Sequence, residues 1–142
     1  MLPFHYIAFR AYSHATEDEE KVRTALYNLF KNAKIMRRES RGYHGNPIII
    51  LEGRIERRGD MAEFWEKVSH LRGRLLLDLE RRVDDQCNFY MRLDKQEAYL
   101  GRAEMTGAKD VIAVRMKVSA HPPTREKCME LLMRFLEMEP DI

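Results

Sequence analysis

Long apolar runs are missing from this chain. None exceeds four residues, as at Ile48-Ile49-Ile50-Leu51, far short of the roughly 20 that cross a bilayer, so no membrane segment is expected. The amino-terminal MLPFHYIAFRAY has no basic stretch followed by a long apolar one, and no secretory leader is read there. Cysteine is scarce: Cys87 and Cys128 have no metal-ligand spacing, and two such residues make no disulfide framework. The 7 glycines and 5 prolines are scattered, without a linker, low-complexity tract or internal repeat. An excess of one charge is missing too, since 25 Lys and Arg face 23 Asp and Glu, which excludes an acidic tail or a uniformly basic nucleic-acid wrapper. Asn and Gln together number six, and with dense Glu and Arg this leans toward a thermophilic source. What these absences leave is a soluble, cytoplasmic chain whose residues 1–142 form one domain with a real core.

The pattern of what is present predicts the element order β-α-β-β-α-β(β)-β-α. Phe4–Tyr12, rich in aromatic and β-prone residues, reads as a strand. Thr16 with Glu19 makes a capping box for a helix whose apolar stripe is Val22, Leu26, Leu29, Phe30 and Ala33. Lys34–Ser40 is a short basic strand, residues 41–47 are a turn-rich connection, and Ile48–Ile55 is a buried strand. Arg58-Gly59-Asp60 caps a long helix, about Met61 to Val83, holding a helical period for about six turns. Asn88–Asp94 alternates as a strand, and an extended stretch around Ala98–Glu104 is expected to pair with it. In Asp110–Ala120, Ile112, Val114, Met116 and Val118 face one way and Arg115 and Lys117 the other. The last helix turns Cys128, Leu131, Leu132, Phe135 and Leu136 inward, which makes Cys128 a core residue, and Cys87 is expected to be buried as well. Strands with one polar face imply an α+β fold of two layers: an antiparallel or mixed sheet, helices on one side, the other side open to a partner.

Catalytic and metal-binding patterns are sparse. His5, His14, His44, His70 and His121 are dispersed, with no His-x-x-x-His pair or His/Cys cluster, so no metal or cofactor is expected. No nucleophile elbow, Walker loop or dinucleotide-binding turn follows a strand, and Asp84-Asp85 reads as a solvated loop. The chain is therefore not expected to be an enzyme.

One segment departs from the average. Lys31 to Arg58 holds eight cations (Lys31, Lys34, Arg37, Arg38, Arg41, Arg54, Arg57, Arg58) against three acids (Glu39, Glu52, Glu56), a net of +5, while the rest has 17 against 20, or −3. Arg is 17 of the 25 cations, and its planar fork suits phosphate. Tyr43 and His44 are flat rings for stacking, flanked by Gly42 and Gly45. Cations for phosphates, rings for bases and a flexible loop are what single-stranded or looped RNA requires. A solvated, salt-bridged face is the plainer account of the same residues. Arg72, Arg74, Arg81 and Arg82, interleaved with Asp78 and Glu80, read as structural.

The same residues carry a resemblance. Arg41-Gly42-Tyr43-His44-Gly45-Asn46-Pro47-Ile48 with Leu51-Glu52-Gly53-Arg54-Ile55 resembles the central motif of a family of small archaeal proteins described as RNA-binding and predicted to be exosome-associated. Leu93-Asp94-Lys95-Gln96-Glu97-Ala98-Tyr99-Leu100-Gly101 resembles its second motif, and Ser13-His14-Ala15-Thr16-Glu17-Asp18 its start, so the likeness covers most of the chain. It implies a fold similar to the large-subunit ribosomal protein that binds 5S ribosomal RNA, and exosome or ribosome-related proteins as partners.

The resulting expectation is a non-catalytic RNA-binding protein, an accessory factor in RNA processing or degradation or in ribosome-related RNA metabolism. Lys34, Arg37, Arg38, Arg41, Arg54, Arg57, Arg58 and Lys95 would meet phosphates, Tyr43 and His44 would stack, and Asn46 would contact a base or the backbone. The main alternative is a homodimeric interaction module using the open sheet and the aromatic first strand. An enzyme on a small anionic substrate ranks last.

Overall fold

The computed structural model describes residues 2–42 and 45–138. Five strands form one sheet in the order β2-β3-β1-β5-β4, and every neighbouring pair is antiparallel. The central strand β1 (Phe4–Ser13) alternates strictly beyond an irregularity between Phe4 and Tyr6. Ile7, Phe9, Ala11 and Ser13 are buried, while Tyr6, Ala8, Arg10 and Tyr12 point to the opposite face. On either side lie β3 (Pro47–Ile55) and β5 (Ile112–Val118), with β2 (Met36–Arg41) and β4 (Asn88–Leu93) at the edges.

The helices cover the face that carries Ile7 and Phe9. Phe9 stacks on Phe30 at 4.2 Å and Phe30 on Phe64 at 4.7 Å between ring centres, which bolts β1 to the C-terminal end of α1 (Glu19–Leu29) and the middle of α2 (Arg58–Val68). A second aromatic group, Phe4, Trp65 and Phe135, joins β1, α2 and α6 (Arg125–Glu137), with Trp65 and Phe135 4.7 Å apart. This is the expected α+β sandwich, antiparallel throughout. No helix among the described residues is long and apolar enough to cross a membrane.

Four local expectations are corrected. Helix α1 is capped by Asp18, whose carboxylate accepts from the Glu20 amide at 3.0 Å, and not by a Thr16–Glu19 box. Thr16 lies inside a turn closed by the Glu17 amide on the His14 carbonyl at 2.9 Å, and Asp18 takes the extended backbone of the cap. The long second helix is broken into α2, a tight turn at Ser69–Leu71, α3 (Arg72–Leu77) and α4 (Leu79–Arg82). The buried residues Leu71, Leu75, Leu79 and Val83 keep a spacing of four across the breaks, so the apolar period survives them.

Residues 95–99 are helical: α5 (Lys95–Tyr99) is capped by Asp94, which accepts from the Glu97 amide at 2.9 Å. Only the bridge Leu93–Met105 remains of the extended pairing expected around Ala98–Glu104. Finally, Cys87 and Cys128 are bonded to each other as a disulfide across 41 positions, tying the turn before β4 to α6. Sequence spacing could not show that the two buried sulfurs meet.

Gly53 on β3 is required by a close approach. A Cβ there would lie 2.5 Å from the Lys34 carbonyl oxygen and 2.9 Å from Phe9 Cζ, because the chain entering β2 passes beneath β3 at this point. Gly53→Val should therefore lower stability by about 2 kcal/mol or more through overpacking, measurable as a shifted urea midpoint, and a parental midpoint would contradict the close packing. For the disulfide, closing a loop of this length restricts the unfolded chain. Thermal unfolding with and without dithiothreitol should show a loss of roughly 2–4 kcal/mol on reduction, and Cys128→Ser should melt like the reduced protein in both conditions.

Candidate nucleic-acid interface

The pleat that buries Ile7 and Phe9 sends a second set of residues to the uncovered face. Strand register lines them up in rows. Arg54 (β3), Ala8 (β1), Arg115 (β5) and Tyr90 (β4) form one row, and Met36, Glu52, Arg10, Ala113 and Arg92 form the next, from β2 to β4. Arg38, Ile50 and Tyr12 make a third row on one side, Tyr6, Lys117 and Asn88 a fourth on the other. Among the strand residues of this face, Arg10, Arg38, Arg54, Arg92, Arg115 and Lys117 oppose a single acid, Glu52.

Diagonal to each other on the neighbouring strands β1 and β5, Ala8 and Ala113 leave a depression of about 540 Å³. Its floor is completed by the backbone at Gly53, and Arg10, Arg54, Arg115, Lys34, Met36 and Tyr90 stand around it. Glu52 is clamped by two arginines: Arg10 Nε donates to Oε2 at 2.8 Å and Arg38 Nε to Oε1 at 3.0 Å. These bonds, Arg38's first, hold the Glu52 carboxyl below the usual carboxylate range. The Arg54 guanidinium lies 4.7 Å from the centre of the Tyr6 ring and pairs with Glu56 at 2.6 Å.

Tyr90 is fixed at its far end, where its hydroxyl donates to Asp84 Oδ2 at 2.8 Å. Asp84 also accepts from the Gln86 and Asn88 amides, both at 2.9 Å, and from Asn88 Nδ2 at 3.0 Å. Burial and the Asp84 carboxylate push the Tyr90 phenol above its ordinary range, so the ring stays neutral. Arg92, Arg115 and Lys34 take part in no ion pair among the described residues, which leaves their charge available.

The residues singled out from the sequence are distributed over several places. Arg38 and Arg54 lie on the open face, and Lys34 at the rim of the depression. Arg37, one position along β2, is turned to the helical side, where its guanidinium meets Glu19 at 3.0 Å and Glu39 at 3.2 Å. Arg41 donates to the Gly45 carbonyl at 3.1 Å at the end of the β2–β3 hairpin, which the Gly42 amide closes on the Asn46 carbonyl at 2.7 Å. Tyr43 and His44 lie outside the described residues. Arg57 and Arg58 sit exposed where α2 begins. The Lys95 side chain is only 11% exposed. Its ammonium donates to the Tyr12 carbonyl at 2.7 Å, to Glu17 at 2.8 Å and to Asp110 at 3.1 Å. His14, Glu17 and Asp110 bring ligand atoms within 4.8 Å of one another, but the Lys95 ammonium already takes the place a cation would fill.

Arg10, Arg92, Arg115, Lys117 and Tyr90 were not among the residues the sequence singled out. Their signal is alternation: each sits between two buried residues of a strand. They become one surface only when the register is known.

The chain is similar to known proteins over most of its length. A family model described as RNA binding matches residues 6–118. The chain is 38% identical to RNA-binding protein PAB1135 of Pyrococcus abyssi, with 97% of each chain covered. It also resembles the structure of Mth689, a DUF54 protein from Methanothermobacter thermautotrophicus, with 42% identity and a TM-score of 0.86 over 94% of this chain and 98% of that one. Protein AF2318 from Archaeglobus fulgidus aligns with a TM-score of 0.82 at 34% identity, covering 94% and 99% of the two chains. By the length of the model match and the identity to these relatives, the chain belongs to this RNA-binding family.

Proposed function

We propose that the protein binds RNA through the open face of its sheet and presents the RNA without transforming it. The observation that carries this is the composition of that face: cations reach it from every strand, and its only strand acid is clamped between two of them. Guanidinium groups match phosphate oxygens two at a time. Mounted on a hydrogen-bonded sheet, they hold a fixed spacing and need little ordering when RNA arrives. Within this proposal Arg38, Arg54 and Lys34 keep their assigned phosphate role, joined by Arg10, Arg92, Arg115 and Lys117. Arg41 and Asn46 lie at its edge in the β2–β3 hairpin, while Arg37 and Lys95 are engaged in ion pairs away from it. An accessory role in RNA processing or degradation, beside exosome or ribosome-related proteins, belongs to the same proposal and rests on the sequence resemblance.

Arg92 and Arg115 are the informative pair to change, because neither takes part in an ion pair among the described residues. Arg92→Ala with Arg115→Ala should weaken binding of a short fluorescent RNA by about tenfold or more. It should also reduce the slope of log K against log salt by about 0.7–0.9 for each phosphate that is no longer neutralised. Arg37→Ala, on the other face, should bind as the parent does. Parental binding by the double variant together with weakened binding by Arg37→Ala would place the RNA on the other side of β2.

A further inference from the structure

We infer that the depression over Ala8 and Ala113 seats one unpaired nucleotide of a single-stranded or looped RNA, its base on the alanine floor and its phosphates on the surrounding arginines. The inference rests on the reading of the open face as the RNA surface and adds the class of RNA and the place of one base.

Size and lining both bear on the occupant. At about 540 Å³ the depression falls within the roughly 300–1,000 Å³ of small-ligand sites in general, room enough for one base. Phosphate alone would need the cations but no apolar floor, and the methyl groups of Ala8 and Ala113 offer it nothing. A flat base gains from that floor and from the Tyr90 ring beside it. That ring is held in place by Asp84 at 2.8 Å, so stacking on it freezes no further rotation. Arg115 is the cross-strand neighbour of both Ala8 and Tyr90, and Arg54 flanks Ala8 on the other side. Neighbours of this kind stand about 4.5–5.5 Å apart at Cβ, within reach of the phosphate of a nucleotide lying between them.

Glu52 sets the direction. An ionised carboxylate accepts hydrogen bonds and donates none, so on the rim it repels phosphate and accepts from N–H groups of a base edge. The base edge therefore turns toward Glu52, and the phosphates toward Arg115 and Arg92. A duplex cannot satisfy this arrangement, because its bases are stacked and paired inside the helix and present only their edges in the grooves.

The test compares a labelled single-stranded RNA with a blunt duplex of the same length, both titrated by anisotropy with the full chain. Ala113→Leu fills the floor from an exposed position and changes no charge. The expected result is a fall of about tenfold in the ratio of single-strand to duplex affinity, the scale of removing one base stack. Tyr90→Ala, which removes the wall instead of filling the floor, should lower the same ratio and decides the matter if the leucine perturbs the thermal melt. An unchanged ratio in a variant that melts like the parent overturns the nucleotide seat while leaving the basic face intact. If instead Arg92→Ala with Arg115→Ala leaves both affinities unaltered, the RNA face itself is refuted, so the two failures are distinct.

Discussion

The two-residue period of β1 is the constraint on which both the core and the candidate site depend. The strand pairs on both edges, so each of its residues is fixed by two neighbours at once. Phe9 can reach Phe30 only if Ala8 and Arg10 face away from the helices. A slip of one residue would bury the guanidinium of Arg10 and expose Ile7, Phe9 and Ala11. The apolar set is large enough to forbid this. Burying side chains of this size is worth roughly 1.5–3 kcal/mol each, whereas an unpaired charge in the core costs several. The position of every cation on the open face is thus set by hydrophobic packing on the other.

Charge on this surface is arranged by the same register. Arg10 and Arg38 are two strands apart in the sheet and meet only because Glu52 lies between them on β3. The carboxylate keeps two like charges from repelling and holds their forks in place. Exposed ion pairs of this kind add little to stability, about 0–1 kcal/mol. Their effect is geometric, and salt that screens phosphate contacts would screen them also. The near-neutral total of +2 follows from the other layer: acids such as Glu19 and Glu20 crowd the first turn of α1, where the helix N-terminus favours them.

Much of the architecture was legible in the sequence, and the reasons it was are specific. Alternation in Ile112–Val118 and the apolar stripe of α6 are strong periodic signals, and both elements formed as expected. The long second helix misled because its buried residues keep one spacing through three helical pieces; periodicity reports the buried side and not the continuity of hydrogen bonds. Helix α5 had its own signal, Asp94 followed three residues later by Glu97, and the beta-prone look of its surroundings outweighed it. For the site, charge density along the chain located Arg38 and Arg54 but grouped Arg37 with them. Adjacent residues of a strand face opposite ways, so density along a chain is not density on a surface. Arg92 and Arg115 are separated by 23 positions and become neighbours through Ala113 and Tyr90 only once β4 and β5 are aligned.

The alanines show where packing stops explaining the sequence. Alanine is a poor strand former and is depleted in sheets. At Ala11 the small side chain is fully buried, and the covering helices account for it. Ala8 and Ala113 face away from the helices, and no element among the described residues covers them to demand a small residue. Larger β-branched side chains would fit the strands better and would shield the backbone. Their smallness instead lowers the middle of the sheet between Arg54, Arg115, Arg10 and Arg92, and turns a flat charged surface into one with a centre. The proposed seat for a flat base between cations makes use of that shape.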